Sequence, residues 1–118
     1  MNNNNLRIVV DAGHGGTDSG AVGNGMYEKN YALLIAQYLN KRFNELGIPS
    51  KLVRDTDETV SPSERVSRIM NAYGNSPNVL VISNHLNAGG DDSAWLYNWY
   101  WTYNLETIEV LQKNKYIE

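Results

Sequence analysis

The chain has 118 residues, two histidines, no cysteine and a formal net charge of −3. That length holds one small domain, and the lack of cysteine removes both disulfide staples and thiolate metal ligands. The acidic balance argues against nucleic acid as a partner, because phosphate binding needs a clustered basic surface, and no run approaches the ~20 apolar residues of a membrane span.

In chain order, Met1 and the asparagines Asn2 to Asn5 read as a disordered leader over residues 1–5. Leu6 to Val10 is a short apolar, β-branched run that ends at Asp11-Ala12-Gly13, as a buried strand does. Residues 13–25 hold six glycines and read as a loop. Tyr27, Tyr31, Leu34, Ile35, Tyr38, Leu39, Phe43 and Leu46 recur at helical spacing, and Gly47 ends that helix. Ser50 to Arg54 is a second short strand. Ser61-Pro62-Ser63-Glu64 carries a capping box with Pro at the first helical position; Val66, Ile69, Met70 and Tyr73 give the helix its apolar face, and Gly74 stops it. Val79 to Ser83 is nearly continuously apolar, as in a parallel strand covered on both faces. The tail, 91–118, is turn-rich and then aromatic from Trp95 to Tyr103, consistent with a strand, and ends in a weak helical stripe through Leu105, Ile108 and Leu111.

Strand, helix, strand, helix, strand is the order of βαβ units, so the expected fold class is α/β: a three-layer α/β/α domain on a mainly parallel sheet. Ligands in such sheets bind beyond the carboxyl ends of the strands. His14 and His85 follow the first and third strands at that edge, and Glu28 opens the helix that returns from the glycine loop. Two imidazoles and a carboxylate would make a zinc site with an open fourth position, the catalytic form of such sites. Each residue also has an ordinary reading: His14 as a loop residue, His85 as a hydrogen-bonded strand end, and Glu28 as a carboxylate favoured by the helix dipole. Asp11 would orient a ligand histidine or cap the turn. Asn87 would hydrogen-bond near the site or form an Asx turn. The glycine turn lacks the Gly-Lys-Ser/Thr ending of a phosphate loop, which excludes that form of nucleotide binding.

The stretch Asp11-Ala12-Gly13-His14-Gly15-Gly16-Thr17-Asp18-Ser19-Gly20-Ala21, followed by Tyr27-Glu28-Lys29, closely resembles the zinc-dependent N-acetylmuramoyl-L-alanine amidases. Val53-Arg54-Asp55-Thr56-Asp57 and Glu64-Arg65 match that family's arginine-bearing strand end and following helix. Ser83-Asn84-His85-Leu86-Asn87-Ala88 matches its second histidine motif, where Ser-Ile-His-x-Asn-Ala is usual. The resemblance covers roughly residues 6 to 90. It implies Zn2+ held by His14, Glu28 and His85, peptidoglycan as the substrate, and hydrolysis of the bond between the muramic acid lactyl group and L-alanine. Asp11, Asn87 and Arg65 are candidates to support the ligands or meet substrate, while Arg54 and Arg65 would otherwise pair with Asp57 or Glu64 at the surface.

The family carries a late acid/base Glu before a Gly-Phe pair, and no such motif follows residue 90. The tail offers Glu106, Glu109 and Glu118, which read as solvated charges. The expectation is therefore a first half of the family pattern with a divergent tail. It is either a zinc-dependent hydrolase or a truncated homologue that binds zinc or cell wall with impaired catalysis. Trp95, Trp99 and Trp101 would stack on sugars or, more simply, form core or aggregation-prone surface, and the Trp95-to-Tyr103 segment would cover an exposed sheet edge or drive self-association. No basic region, long apolar run or cleavage site follows Met1, so no signal peptide is expected; a wall-cutting enzyme of that kind fits a phage lysin made in its host, or an autolysin without its leader.

Overall fold

The structure, a computed structural model, describes residues 5–88 and 94–101, with side chains for residues 5–86. The elements are β1 (Arg7–Ala12), a hairpin of β2 (Val22–Gly23) and β3 (Met26–Tyr27), α1 (Glu28–Glu45), β4 (Ser50–Leu52), α2 (Pro62–Tyr73), β5 (Val79–Ala88) and β6 (Ala94–Trp101). The main sheet has the order β4-β1-β5-β6. Its first three strands are parallel, and β6 runs antiparallel to β5. The α/β class and the mainly parallel sheet are as the sequence implies.

The connection from β1 runs to one side, to β4, and the connection from β4 crosses back over β1 to β5. Right-handed crossovers in opposite directions put their helices on opposite faces. The period of two along β1 then feeds two cores. Ile8, Val10 and Ala12 pack with Ala32 and Ala36 of α1 and with Ile82. Val9 packs with Val53, Val79, Val81 and Ile69 of α2. All of these are buried, so β1 shows apolar residues on both faces and no polar alternation.

Helix α2 matches its sequence signals. Ser61 Oγ accepts from the Glu64 amide at 3.2 Å, Pro62 opens the helix and Gly74 ends it with φ 75°. Glu64 turns its carboxylate to Arg68, one turn on, at 3.0 Å. Helix α1 begins and ends where expected, but its buried face is different. Ala32 and Ala36 are buried and Leu33, Leu39 and Phe43 pack beside them, whereas Tyr27, Tyr31, Leu34, Tyr38 and Leu46 are exposed. The small alanines let the helix lie close on the sheet; counting only large apolar residues missed them.

The loop after β1 also differs from expectation, because it contains the β2–β3 hairpin. Asn24 and Gly25 both take positive φ, 50° and 73°. Asn-Gly is the strongest short hairpin signal, since both central residues of such a turn need positive φ. Likewise β5 runs past Ser83. Its parallel partner β1 ends with Ala12 opposite Asn84, but β6 pairs on from Val81 opposite Trp101 to Ala88 opposite Ala94. The aromatic segment therefore does occupy the edge of β5. Residues 1–4 of the proposed leader and 102–118 of the tail, including its helical stripe, lie outside the described residues.

Asn84 is fully buried on the α1 side; its Nδ2 donates to the Ala32 carbonyl at 3.3 Å and its Oδ1 has no partner among the described residues. A buried unsatisfied carbonyl costs ~1–3 kcal/mol. Asn84→Val should therefore raise the unfolding free energy by about 1 kcal/mol in urea titrations; an unchanged or lower value would show that the site needs the amide.

Candidate metal centre

His14, Glu28 and His85 meet at the carboxyl edge of β1 and β5. His14 lies two residues beyond β1, Glu28 is the first residue of α1, and His85 is the first β5 residue past the parallel ladder with β1. His14 Nε2 is 3.1 Å from Glu28 Oε1, His85 Nδ1 is 3.1 Å from the same oxygen, and the two ring nitrogens are 3.2 Å apart. The rings stand edge to face, with an interplanar angle of 84°. Bonds of ~2.0–2.1 Å to zinc in a tetrahedron imply ligand atoms about 3.3 Å apart, close to this triangle.

The proton inventory also fits a cation. Asp18 Oδ2 is 2.9 Å from His14 Nδ1, and an ionised carboxylate can only accept. The bond from His14, followed by the Gly20 amide, holds the Asp18 carboxyl below its usual range, so it is ionised at neutral pH. In the tautomer that donates from Nδ1 to Asp18, His14 presents Nε2 as a lone pair toward Glu28. Glu28 Oε1 already accepts from the Leu86 amide at 2.8 Å, and Oε2 from the Ala21 amide at 2.8 Å. In that tautomer the lone pairs of His14 Nε2 and Glu28 Oε1 face each other along one side of the triangle. A metal ion bound there would turn that conflict into coordination. Among the described residues this is the group with suitable ligands in one place.

Two glycines make the approach feasible. A Cβ on Gly13 would lie 2.5 Å from His85 Cε1. One on Gly20, at φ 65°, would lie 2.6 Å from His14 Cδ2 and 2.7 Å from Glu28 Oε2.

The supporting residues differ from expectation in detail. Asp11 does not touch a ligand histidine; it is buried, paired with Arg65 and accepting from Ser83 Oγ at 2.8 Å. The carboxylate beside a ligand imidazole is Asp18, inside the quoted motif but not singled out from sequence. The i,i+4 spacing from His14 was the available signal. Arg65 donates to the Ala12 and His14 carbonyls at 2.8 and 3.0 Å. Arg54 is almost fully buried, and burial, then the neighbouring Arg65, lowers its pKa. Neither arginine makes the surface pair considered for it: Asp57 pairs with Lys29 and Glu64 with Arg68. Asn87 has backbone pairing with Trp95, but its side chain, those of Trp95, Trp99 and Trp101, and all of Glu106, Glu109 and Glu118 lie outside the described residues.

A cleft of about 300 Å³ opens beside the triad on the α2 side. Asp11, Asp18, Arg65, His14 and His85 line its polar end, and Val60, Pro62, Val66 and Ile69 its apolar wall.

Asp18→Asn should weaken metal binding by about 10-fold, because partners of ligand histidines typically contribute 10–100-fold. Competition against a chromophoric chelator measures it, and unchanged affinity would remove Asp18 from the site. The loop has an acid-sensitive tether as well. Asp57 accepts from Lys29 Nζ and the Gly16 amide, both at 2.7 Å, which hold its carboxyl below the ordinary range. A carboxylate with a lowered folded pKa contributes stability that is complete above its unfolded value, ~4, and is lost as pH falls through the folded one. The metal-free melting midpoint should therefore drop as pH falls below about 4, and less steeply in Asp57→Asn; parallel profiles would exclude the tether.

A family model described as N-acetylmuramoyl-L-alanine amidase matches residues 8–116. The N-acetylmuramoyl-L-alanine amidase LytC of Bacillus subtilis is 40% identical over 86 residues, which is 73% of this chain and 16% of that protein. An uncharacterized B. subtilis protein, YqiI, is 38% identical over 82 residues, 70% of this chain and 38% of its own length. Among solved structures, the N-acetylmuramoyl-L-alanine amidase AmiC2 of Nostoc punctiforme superposes with a TM-score of 0.64 at 32% identity, covering 74% of this chain and 47% of that one. The chain thus spans well under half the length of those curated relatives and about half of that structure.

Proposed function

The chain belongs to the N-acetylmuramoyl-L-alanine amidase family, and we propose that it hydrolyses the muramoyl–L-alanine amide of peptidoglycan at the cell wall, using zinc held by His14, Glu28 and His85. The observation that carries this reading is the triangle of His14 Nε2, His85 Nδ1 and Glu28 Oε1, with sides of 3.1–3.2 Å that match the ligand spacing of a tetrahedral zinc site. When bound, zinc supplies Lewis-acid polarisation of the scissile carbonyl and acidifies water toward a pKa of ~7. The chain's own residues do the rest. The Ala21 and Leu86 amides aim the Glu28 carboxylate, Asp18 fixes the His14 tautomer, and the cleft beside the triad accepts the substrate.

A second reading, in which the chain binds metal and wall fragments with little hydrolysis, is favoured by one observation. Both aspartates lining the cleft are committed, Asp11 to Arg65 and Ser83, and Asp18 to His14 and the Gly20 amide at 3.1 Å. Neither is poised to deliver a proton to the leaving amine, a role worth ~10²–10⁴ in rate.

Zinc at ~100 times its dissociation constant should add ~2.7 kcal/mol of stability, a rise of several degrees in melting midpoint. His14→Ala and His85→Ala should each abolish the rise. Release of new L-alanine amino groups from purified walls, zinc-dependent and lost in both variants, is the expected activity. Zinc stabilisation without release would select the second reading. A melting curve indifferent to zinc and chelator at pH ~7.5 would overturn the metal centre.

A further inference from the structure

Building on that metal centre, we propose that Arg54 and Arg65 are positioning residues that act as a pair, fixing the backbone angles of His14 and so aiming its Nε2 at Glu28 and His85. His14 takes φ 62°, a left-handed conformation uncommon outside glycine. Something must hold it there. The peptide plane before His14 carries the Gly13 carbonyl, and the plane after it carries the His14 carbonyl. Fixing the directions of those two oxygens fixes φ and ψ between them. Arg54 Nη2 donates to the first at 2.9 Å, and Arg65 Nη2 donates to the second at 3.0 Å. Both side chains also grip the Ala12 carbonyl, Arg54 through Nε at 3.1 Å and Arg65 through Nη1 at 2.8 Å.

The two guanidiniums arrive from different elements, Arg54 from just after β4 and Arg65 from the first turns of α2. Each extends the hold to another ligand. Arg54 Nη2 also donates to the Lys29 carbonyl at 3.0 Å, next to Glu28, and Nη1 to the Thr56 carbonyl at 2.9 Å. Arg65 is anchored on Asp11, which accepts from Ser83, two residues before His85. Gly15 leaves the space for this; a Cβ there would sit 3.0 Å from Arg54 Nε and 2.3 Å from the Glu58 carbonyl. A planar guanidinium offers five donors in fixed directions, whereas an ammonium is a rotating point charge. Lysine at either position keeps the charge and loses the directional hold.

The test is Arg54→Lys and Arg65→Lys, first checked for folding by circular dichroism and melting in chelator. Each folded variant should bind zinc ~10–100-fold more weakly than wild type. Each should also show an altered cobalt(II) ligand-field spectrum, which a remote stabilising role would leave unchanged. Arg65 is partly exposed and decides the matter alone if the Arg54 variant does not fold. Couplings sensitive to φ at His14, measured by NMR without metal, should report positive φ in wild type and a shift away from it in Arg65→Lys. Wild-type zinc affinity with an unchanged cobalt spectrum in a folded variant would overturn the proposal, and so would an unmoved His14 φ. If wild type binds no zinc, the metal-centre reading fails while the NMR measurement still decides the clamp.

Discussion

The parallel register of β1 on β5, from Arg7 opposite Val79 to Ala12 opposite Asn84, sets the distances in the site. It brings the end of β1 level with Asn84, so that the next residue of β5, His85, stands over Gly13 and faces His14. A slip of one residue would exchange the faces of every β5 side chain. Ser83 would leave Asp11, Asn84 would turn to the α2 core, and His85 would leave the triangle. The register is held by burial on both faces: Ile82 must meet α1, and Val79 and Val81 must meet Ile69. The two hydrophobic cores therefore fix the relative positions of His14 and His85.

The polar contacts solve what the register leaves open. Strand pairing ends at Ala12, and the glycine-rich segment beyond it has little packing of its own. A left-handed histidine costs ~1–2 kcal/mol relative to the right-handed region, and glycines add unfolded-state entropy. The segment is held by side chains from four places: Arg54 after β4, Asp57 and Thr59 before α2, Arg65 within α2, and Lys29 from α1, whose Nζ reaches the Gly16 carbonyl at 2.8 Å. Each tether ends on backbone, so it constrains the path of the loop and leaves the His14 ring free for its own partners.

Much of this was legible in the sequence. The convergence of His14, Glu28 and His85 at one sheet edge, the parallel sheet and the caps of α2 follow from local signals: strand-end histidines, near-continuous apolar runs, and Ser61-Pro62 with Gly74. The misses share a cause, which is that their signal lies in what a residue touches across space. The α1 face was misread because Ala32 and Ala36 carry little hydrophobic weight while Tyr31, Leu34 and Tyr38 carry much; the choice between them is made by how closely the helix sits on the sheet. The Asn24-Gly25 turn was readable but hidden among other glycines. Arg54 and Arg65 have acidic neighbours in sequence, which suggested surface ion pairs. In the fold those acids find Lys29 and Arg68, and the arginines turn inward to carbonyls.

That inward turn raises an electrostatic question, since three cations, Lys29, Arg54 and Arg65, surround the loop that would hold a fourth. Four carboxylates stand among them: Asp11, Asp18, Glu28 and Asp57. Their placement matters more than the excess of one. Arg65 is neutralised by Asp11 and Lys29 by Asp57. Arg54 has its charge spread over four carbonyl dipoles. The remaining two carboxylates, Glu28 and Asp18, are the ones that touch the imidazoles. The two carboxylates at the triangle are therefore not the ones paired with the basic side chains that frame it, and the pairing of Arg65 with Asp11 limits its repulsion of a bound cation. At an effective dielectric of ~20, a unit charge at 4 Å is worth about 4 kcal/mol, so this pairing decides whether a cation is attracted or expelled.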